Sequence, residues 1–278
     1  MDAATAAVLR DLSLWLLLAL IFGVLWQAYN RCRLEPLGPQ RVEGEVSTGA
    51  FNILDAALVL LGVALIWRGY ALLALSKSPV EAALLDLSSL GKAMLGQLLT
   101  MGLLLTYLRW RGLPSASELF GWQRLPPRVV LLRALWVLPA LPLLLLVQQL
   151  VQWWMEGFWP QVQSQEIVRA FANNHDLLFR LAMVLCAVIL APLVEEMLFR
   201  GFIYPVLKRF GSAPMALLSS SLLFALIHGH LAVLPALMLF SVLLTLAYER
   251  SGCLWVPTLM HAIFNAINIG LMVLFPQS

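Results

Sequence analysis

Residues 177–207 read LLFRLAMVLCAVILAPLVEEMLFRGFIYPVL. The run is fit for hydrocarbon, yet it carries two adjacent carboxylates, Glu195 and Glu196, and a guanidinium, Arg200. An ionisable side chain at the bilayer centre costs on the order of 2.5–3.5 kcal/mol on insertion scales, so three without partners or water would cost roughly 8–10 kcal/mol. Groups kept at that cost mark a functional site by default.

Outside this run the chain has the same solvent preference. Of 278 residues, 61% are hydrophobic and 12% charged, against about 25% charged in a soluble domain. A soluble globular protein is excluded, and long apolar stretches point to a polytopic membrane protein. The net charge of +3 is modest, and the basic residues gather in loops, which speaks of membrane orientation and not of nucleic acid. Cys32, Cys186 and Cys253 lie far apart, with neither a metal spacing nor a disulfide framework. Arg10 and Asp11 precede LSLWLLLALIFGVLWQAY, and no small-x-small cleavage site follows. It is expected to be a retained first helix and not a signal peptide.

The expected fold is an all-α, polytopic transmembrane bundle of about eight spans. They fall near residues 12–29, 52–75, 92–108, 129–152, 178–206, 214–230, 232–248 and 254–275. The loops at 30–51, 109–128 and 207–213 hold half of the arginines and lysines. They share one side in that topology, which should be cytoplasmic, with both termini facing out. Two regions are expected: variable N-terminal transmembrane helices and loops over 1–176, and a helical core over 177–275. Within the second, 182–248 holds only Glu195, Glu196, Arg200, Lys208 and Arg209 as acidic or basic groups besides histidine and 251–278 holds none, while His228, His230, His261, Asn265 and Asn268 stand out.

Helical spacing sorts these groups. Glu196 and Arg200 are i, i+4 with the acid first, the favourable order for an ion pair. Glu195 points about 100° away around the helix, which leaves it free for chemistry. His261 and Asn265 share a face, as do Phe224 and His228. With a turn at Gly211–Ser212, Glu195 lies about 16 residues before it and His228 about 16 after, so both sit roughly 24 Å from it. From the turn at Ser251–Gly252, His261 and Asn265 lie roughly 15 and 21 Å away on the same side. Polar groups from three helices thus reach a similar layer.

A carboxylate beside an imidazole can take a proton from water, which then attacks a carbonyl. A second histidine and an amide can donate to the oxyanion. Glu195, His228 and His261 could also hold a catalytic zinc, since glutamate and histidine are normal ligands for one. No H-E-x-x-H helix and no pair of helical aspartates is present. Ser221 and His228 are seven apart, two turns along one helix, and SSS lacks the glycines of a nucleophile turn. Taken singly, the Glu–Arg pair reads as glue, the histidines as packing residues, and Asp55 and Arg68 as interfacial anchors. Their joint occurrence outweighs that.

EEMLFR, FALIH and HAIFN occur in this order as E-E-x-x-x-R, F-x-x-x-H and H-x-x-x-N. The set resembles the CPBP family, the CAAX-prenyl-protease and bacteriocin-processing intramembrane proteases also called Abi proteins. The likeness covers roughly residues 177–270, and LAYERSGCLWVPTLMHAIFN leads similarly into the last motif. It implies a glutamic intramembrane endopeptidase with no cofactor. Glu195 and His228 would activate the water, His261 and Asn265 would form the oxyanion hole, Glu196 and Arg200 would orient structure or substrate, and Phe224 would support them. The implied partner is a membrane-associated or lipidated peptide or protein in the bilayer, with no nucleic acid. The implied location is a prokaryotic plasma membrane, as a multi-pass protein. A non-catalytic scaffold or immunity-type protein, and a transporter with a proton relay, are the alternatives.

Overall fold

A computed structural model of the chain describes residues 44–75, 87–156, 174, 176–229 and 232–274. The expected span at 12–29 lies outside them, as do Cys32, His175 and His230. Every regular element among the described residues is helical, as the composition predicts. In chain order these are α1 (Ile53–Leu75), α2 (Leu87–Trp110), the single turn α3 (Ala116–Leu119), α4 (Pro127–Ala134) and α5 (Val137–Glu156). After them come α6 (Leu177–Phe210), α7 (Ala213–Ile227), α8 (Leu234–Ser251) and α9 (Trp255–Leu274).

Four stretches are long and apolar enough to cross a membrane: Pro127–Met155, Leu177–Phe210, Leu234–Ser251 and Trp255–Leu274. The expectation of about eight is not reproduced among the described residues. The predicted span 214–230 is α7, which stops at Ile227 after 15 residues. At 1.5 Å per residue it is roughly 22 Å long, short of a hydrocarbon core of about 30 Å. The predicted span 92–108 lies within α2, where Lys92, Gln97 and Arg109 interrupt the apolar sequence. Leu131, Leu132, Trp136, Trp153, Leu177 and Leu181 all face outward, as lipid contact requires.

The longest helix, α6, begins where the Asp176 carboxylate caps the Leu178 N–H at 2.9 Å. It then widens twice into π-helical turns, Cys186–Leu190 and Phe199–Ile203. Each is followed, two residues on, by a proline, Pro192 or Pro205. A proline has no N–H to give and crowds the carbonyl four residues back. A π turn displaces that carbonyl and absorbs the misfit. The EE pair therefore sits on one α-helical segment, Ala191–Leu198, between two widened turns.

One core joins α1, α2, α6, α7 and the start of α9 through Phe51, Val59, Leu104, Phe120, Phe202, Phe224 and Leu254. A second joins α4, α5, α8 and α9 through Val137, Leu144, Phe240, Leu244 and Met260. Gly201 permits one close approach, since a Cβ there would stand 2.7 Å from the Phe120 ring. Gly252 ends α8 in the left-handed conformation at φ 58°, a backbone state that glycine takes without strain.

Polar ties gather the loops at one end. Lys208 meets Glu249 at 2.6 Å, Tyr204 donates to the same carboxylate at 2.7 Å, and Arg124 pairs with Glu45. Asp55 is buried within the protein, accepting from Arg111 at 2.7 Å and from Tyr107 at 2.5 Å. A carboxylate with two such donors within reach can be taken out of water.

Candidate active site

The i, i+4 spacing of Glu196 and Arg200 is realised as a fully buried ion pair, Nη1 to Oε1 at 2.8 Å. Removing two such charges from water costs several kcal/mol per ion unless further hydrogen bonds accompany the pair. Here they come from α8 and α9. Arg200 Nη2 donates to Ser241 Oγ at 2.7 Å and to the Ser241 carbonyl at 3.1 Å. His261 Nδ1 donates to Glu196 Oε1 at 3.0 Å. The Arg200 guanidinium also lies over the Phe224 ring, 4.6 Å from its centroid, a cation–π contact strengthened by burial.

Glu195 differs from its neighbour in exposure and in pairing. Its side chain keeps 18% exposure against none for Glu196, and although Oε2 of each glutamate lacks a hydrogen-bond partner, only Glu196 is held by Arg200. That oxygen lies 3.9 Å from His261 Nε2, beyond direct hydrogen bonding but within reach of a shared atom with legs of about 2.8 Å to each. His261 thus stands between the two glutamates, its ring also edge-on to Phe240 at 5.4 Å and to Phe224 at 5.7 Å. Because Nδ1 donates to a carboxylate, Nε2 is the acceptor in the neutral ring and becomes a donor only in the imidazolium.

His228 caps the C-terminus of α7, its ring tilted 49° to that of Phe224 with centroids 4.7 Å apart. Its Nδ1 lies 2.7 Å from the Phe224 carbonyl. A carbonyl only accepts, so Nδ1 carries the proton and Nε2 holds the free lone pair of the neutral ring. Phe224 therefore touches Arg200, His228 and His261 at once.

Asn265 is turned to another task. Its Nδ2 donates to the Ala187 carbonyl at 2.8 Å. In a π turn that carbonyl would bond the N–H five residues on, which is Pro192 and has none. One amide N–H of Asn265 fills that place, so α9 is docked on the first π turn of α6. Asn268 donates to the Phe264 carbonyl of its own helix, and Ser221 is buried with its hydroxyl unpartnered.

Sequence reasoning missed Ser241 and Thr245, both buried on α8. Their signal was available: two hydroxyl residues at i, i+4 in an apolar helix. Among the described residues, no three His, Cys, Asp or Glu side chains group closely enough to hold a metal ion.

Residues 177–267 match a protein-family model described as type II CAAX prenyl endopeptidase Rce1-like. The matched segment runs from the first residue of α6 into α9 and holds all the groups above except Asn268. Neither a curated protein nor a solved structure matches the chain. The matched family is one of CAAX-type proteases by its description, and the four apolar helices fit an integral membrane protein.

Proposed function

We propose that this chain, whose residues 177–267 carry the Rce1-like domain, is a multi-pass intramembrane endopeptidase. Its substrate is a membrane-associated or lipidated peptide or protein, and its setting the plasma membrane of a prokaryote. The observation that carries this reading is the place of His261, with Nδ1 3.0 Å from Glu196 and Nε2 3.9 Å from Glu195. Two adjacent carboxylates are thereby divided: one neutralised by Arg200, the other with no partner closer than the 3.9 Å to His261.

In the proposed reaction Glu195 takes a proton from a water as its oxygen attacks the scissile carbonyl carbon. The carbonyl π electrons move onto oxygen, and the tetrahedral intermediate collapses as the same proton passes to the leaving amine. His228, pinned at Nδ1, orients the water through Nε2. The second N–H of Asn265 and the Nε2–H of His261, a proton that enters from solvent before the chemical step and stays on the ring through it, donate to the oxyanion; losing one such donor typically costs about 10²–10³ in rate. Glu196 and Arg200 hold the framework, and no metal takes part.

The test compares peptide termini in native-host membranes carrying the wild-type chain or Glu195→Gln at equal expression. The swap removes the base and keeps the shape. A new terminus seen with wild type alone supports the protease and names its substrate. Identical profiles from two folded proteins would favour a scaffold.

A further inference from the structure

We infer that Ser241 is a positioning residue: its hydroxyl fixes the plane of the Arg200 guanidinium, and through it the Glu196–His261 pair. Its bearing on catalysis rests on the proteolytic reading above.

Arg200 has five N–H donors in a rigid fork, yet it meets its carboxylate with one nitrogen only, Nη1 on Glu196 Oε1. A pair joined at one point can swivel about that contact. A bidentate fork-to-carboxylate pair cannot. The second fixed point is Nη2 on Ser241, from a different helix. The Arg200 Nε has no partner, so Ser241 is the remaining hydrogen-bonding anchor of this side chain. Of the two Ser241 acceptors the hydroxyl is the closer, 2.7 Å against 3.1 Å. The carbonyl is shared besides, since Thr245 Oγ1 donates to it at 2.9 Å.

What the anchor controls follows from Glu196 Oε1, which receives both Arg200 Nη1 and His261 Nδ1. If the guanidinium turns, that oxygen moves with it, and the imidazole loses the acceptor that sets its tautomer and tilt. The residue before Ser241, Phe240, lies edge-on to the same imidazole. One turn of α8 therefore holds the arginine with a hydroxyl and the histidine with a ring. Ser241 touches none of the proposed reacting atoms.

Threonine and valine at position 241 have nearly equal volume and branching but differ in the hydroxyl, so they separate the anchor from packing. The full chain in detergent would be assayed on a quenched fluorescent peptide ending in a farnesylated Cys-aliphatic-aliphatic-X sequence. In parallel, ¹⁵N-histidine NMR would follow the His261 ring nitrogens, assigned with His261→Gln. Hydrogen bonds to charged groups suggest a fall in kcat of about 10- to 100-fold for Ser241→Val. KM should stay close to wild type, and Ser241→Thr should retain most activity. The His261 Nδ1–H signal should shift in Ser241→Val and hold in Ser241→Thr. Ser241→Ala, which adds no volume and also lacks the hydroxyl, replaces valine if the branched side chain prevents folding.

Equal activity and equal His261 signals in the Thr and Val proteins would overturn the inference, as would equal losses in both. Failure of Val and Ala to fold while Thr folds would assign the hydroxyl to folding alone and also overturn it. If wild type leaves the farnesyl peptide intact, that substrate reading fails by itself. The NMR comparison then decides the place of Ser241.

Discussion

Glu196 Oε1 lies 3.0 Å from His261 Nδ1, and the same oxygen receives Arg200 Nη1 at 2.8 Å. This one atom joins α6 to α9 and, through the guanidinium and Ser241, to α8. It also makes two carboxylates that are neighbours in sequence unlike in chemistry: Glu196 is neutralised by a buried cation, whereas Glu195 has no ion pair closer than 3.9 Å.

That division predicts opposite phenotypes. Glu195→Gln should keep the fold, because no ion pair closer than 3.9 Å is lost, while cleavage falls by about 10²–10⁴. Glu196→Ala should strand Arg200 in the interior at a cost of about 3–5 kcal/mol. Thermal unfolding in detergent, run beside the peptide assay, distinguishes the two. A Glu195→Gln protein as fragile as Glu196→Ala would contradict the division.

His228 should matter to activity far more than to stability. It is half-buried, and its one hydrogen bond runs to a carbonyl of its own helix. Losing such a bond costs about 0.5–1.5 kcal/mol. His228→Ala should therefore melt close to wild type and yet lose at least 10² of its rate as a positioned proton-handling group. Activity close to wild type would remove His228 from the mechanism.

Asn265 joins structure to the site in a way that a paired substitution can expose. Asn265→Ala leaves the Ala187 carbonyl without its donor and should cost about 1–3 kcal/mol. The want of a donor originates in Pro192. Pro192→Ala, which returns an N–H at that position, should therefore lessen the cost when combined with Asn265→Ala. A coupling of about 0.5–3 kcal/mol is the range for residues sharing one partner. Strict additivity of the two changes in unfolding free energy would show that the two residues do not share that carbonyl.

Much of this was legible in one dimension, and the reason is helical periodicity. Spacings of four put Glu196 with Arg200 and Phe224 with His228 on common faces, and the described residues realise both contacts. Partners from other helices were beyond such reasoning. Nothing periodic links Asn265 to a carbonyl that a proline leaves open, or Ser241 to an arginine 41 residues earlier. Hydropathy erred for a related reason. It assigns an apolar segment to lipid without knowing where the helix stops, so α7 was expected to be longer than it is. It also gives no sign of the two donors, from α2 and its end, that partner Asp55.

Metal dependence is the last consequence of the site geometry. A tetrahedral zinc with bonds of about 2.0–2.2 Å holds its ligand atoms roughly 3.3–3.5 Å apart. His261 Nε2 and Glu195 Oε2 stand 3.9 Å apart, and the other ring nitrogen already donates to Glu196. A zinc bridging the two would open their angle well past tetrahedral and would need a third ligand. Cleavage by the purified protein should therefore survive prolonged treatment with 1,10-phenanthroline, and elemental analysis should find less than one zinc per chain. Loss of activity with the chelator, regained on adding zinc and not on dilution alone, would replace the glutamate-activated water with a metal-bound one. His228 would then be the third ligand to test, because its Nε2 is the lone pair left open when Nδ1 donates to Phe224.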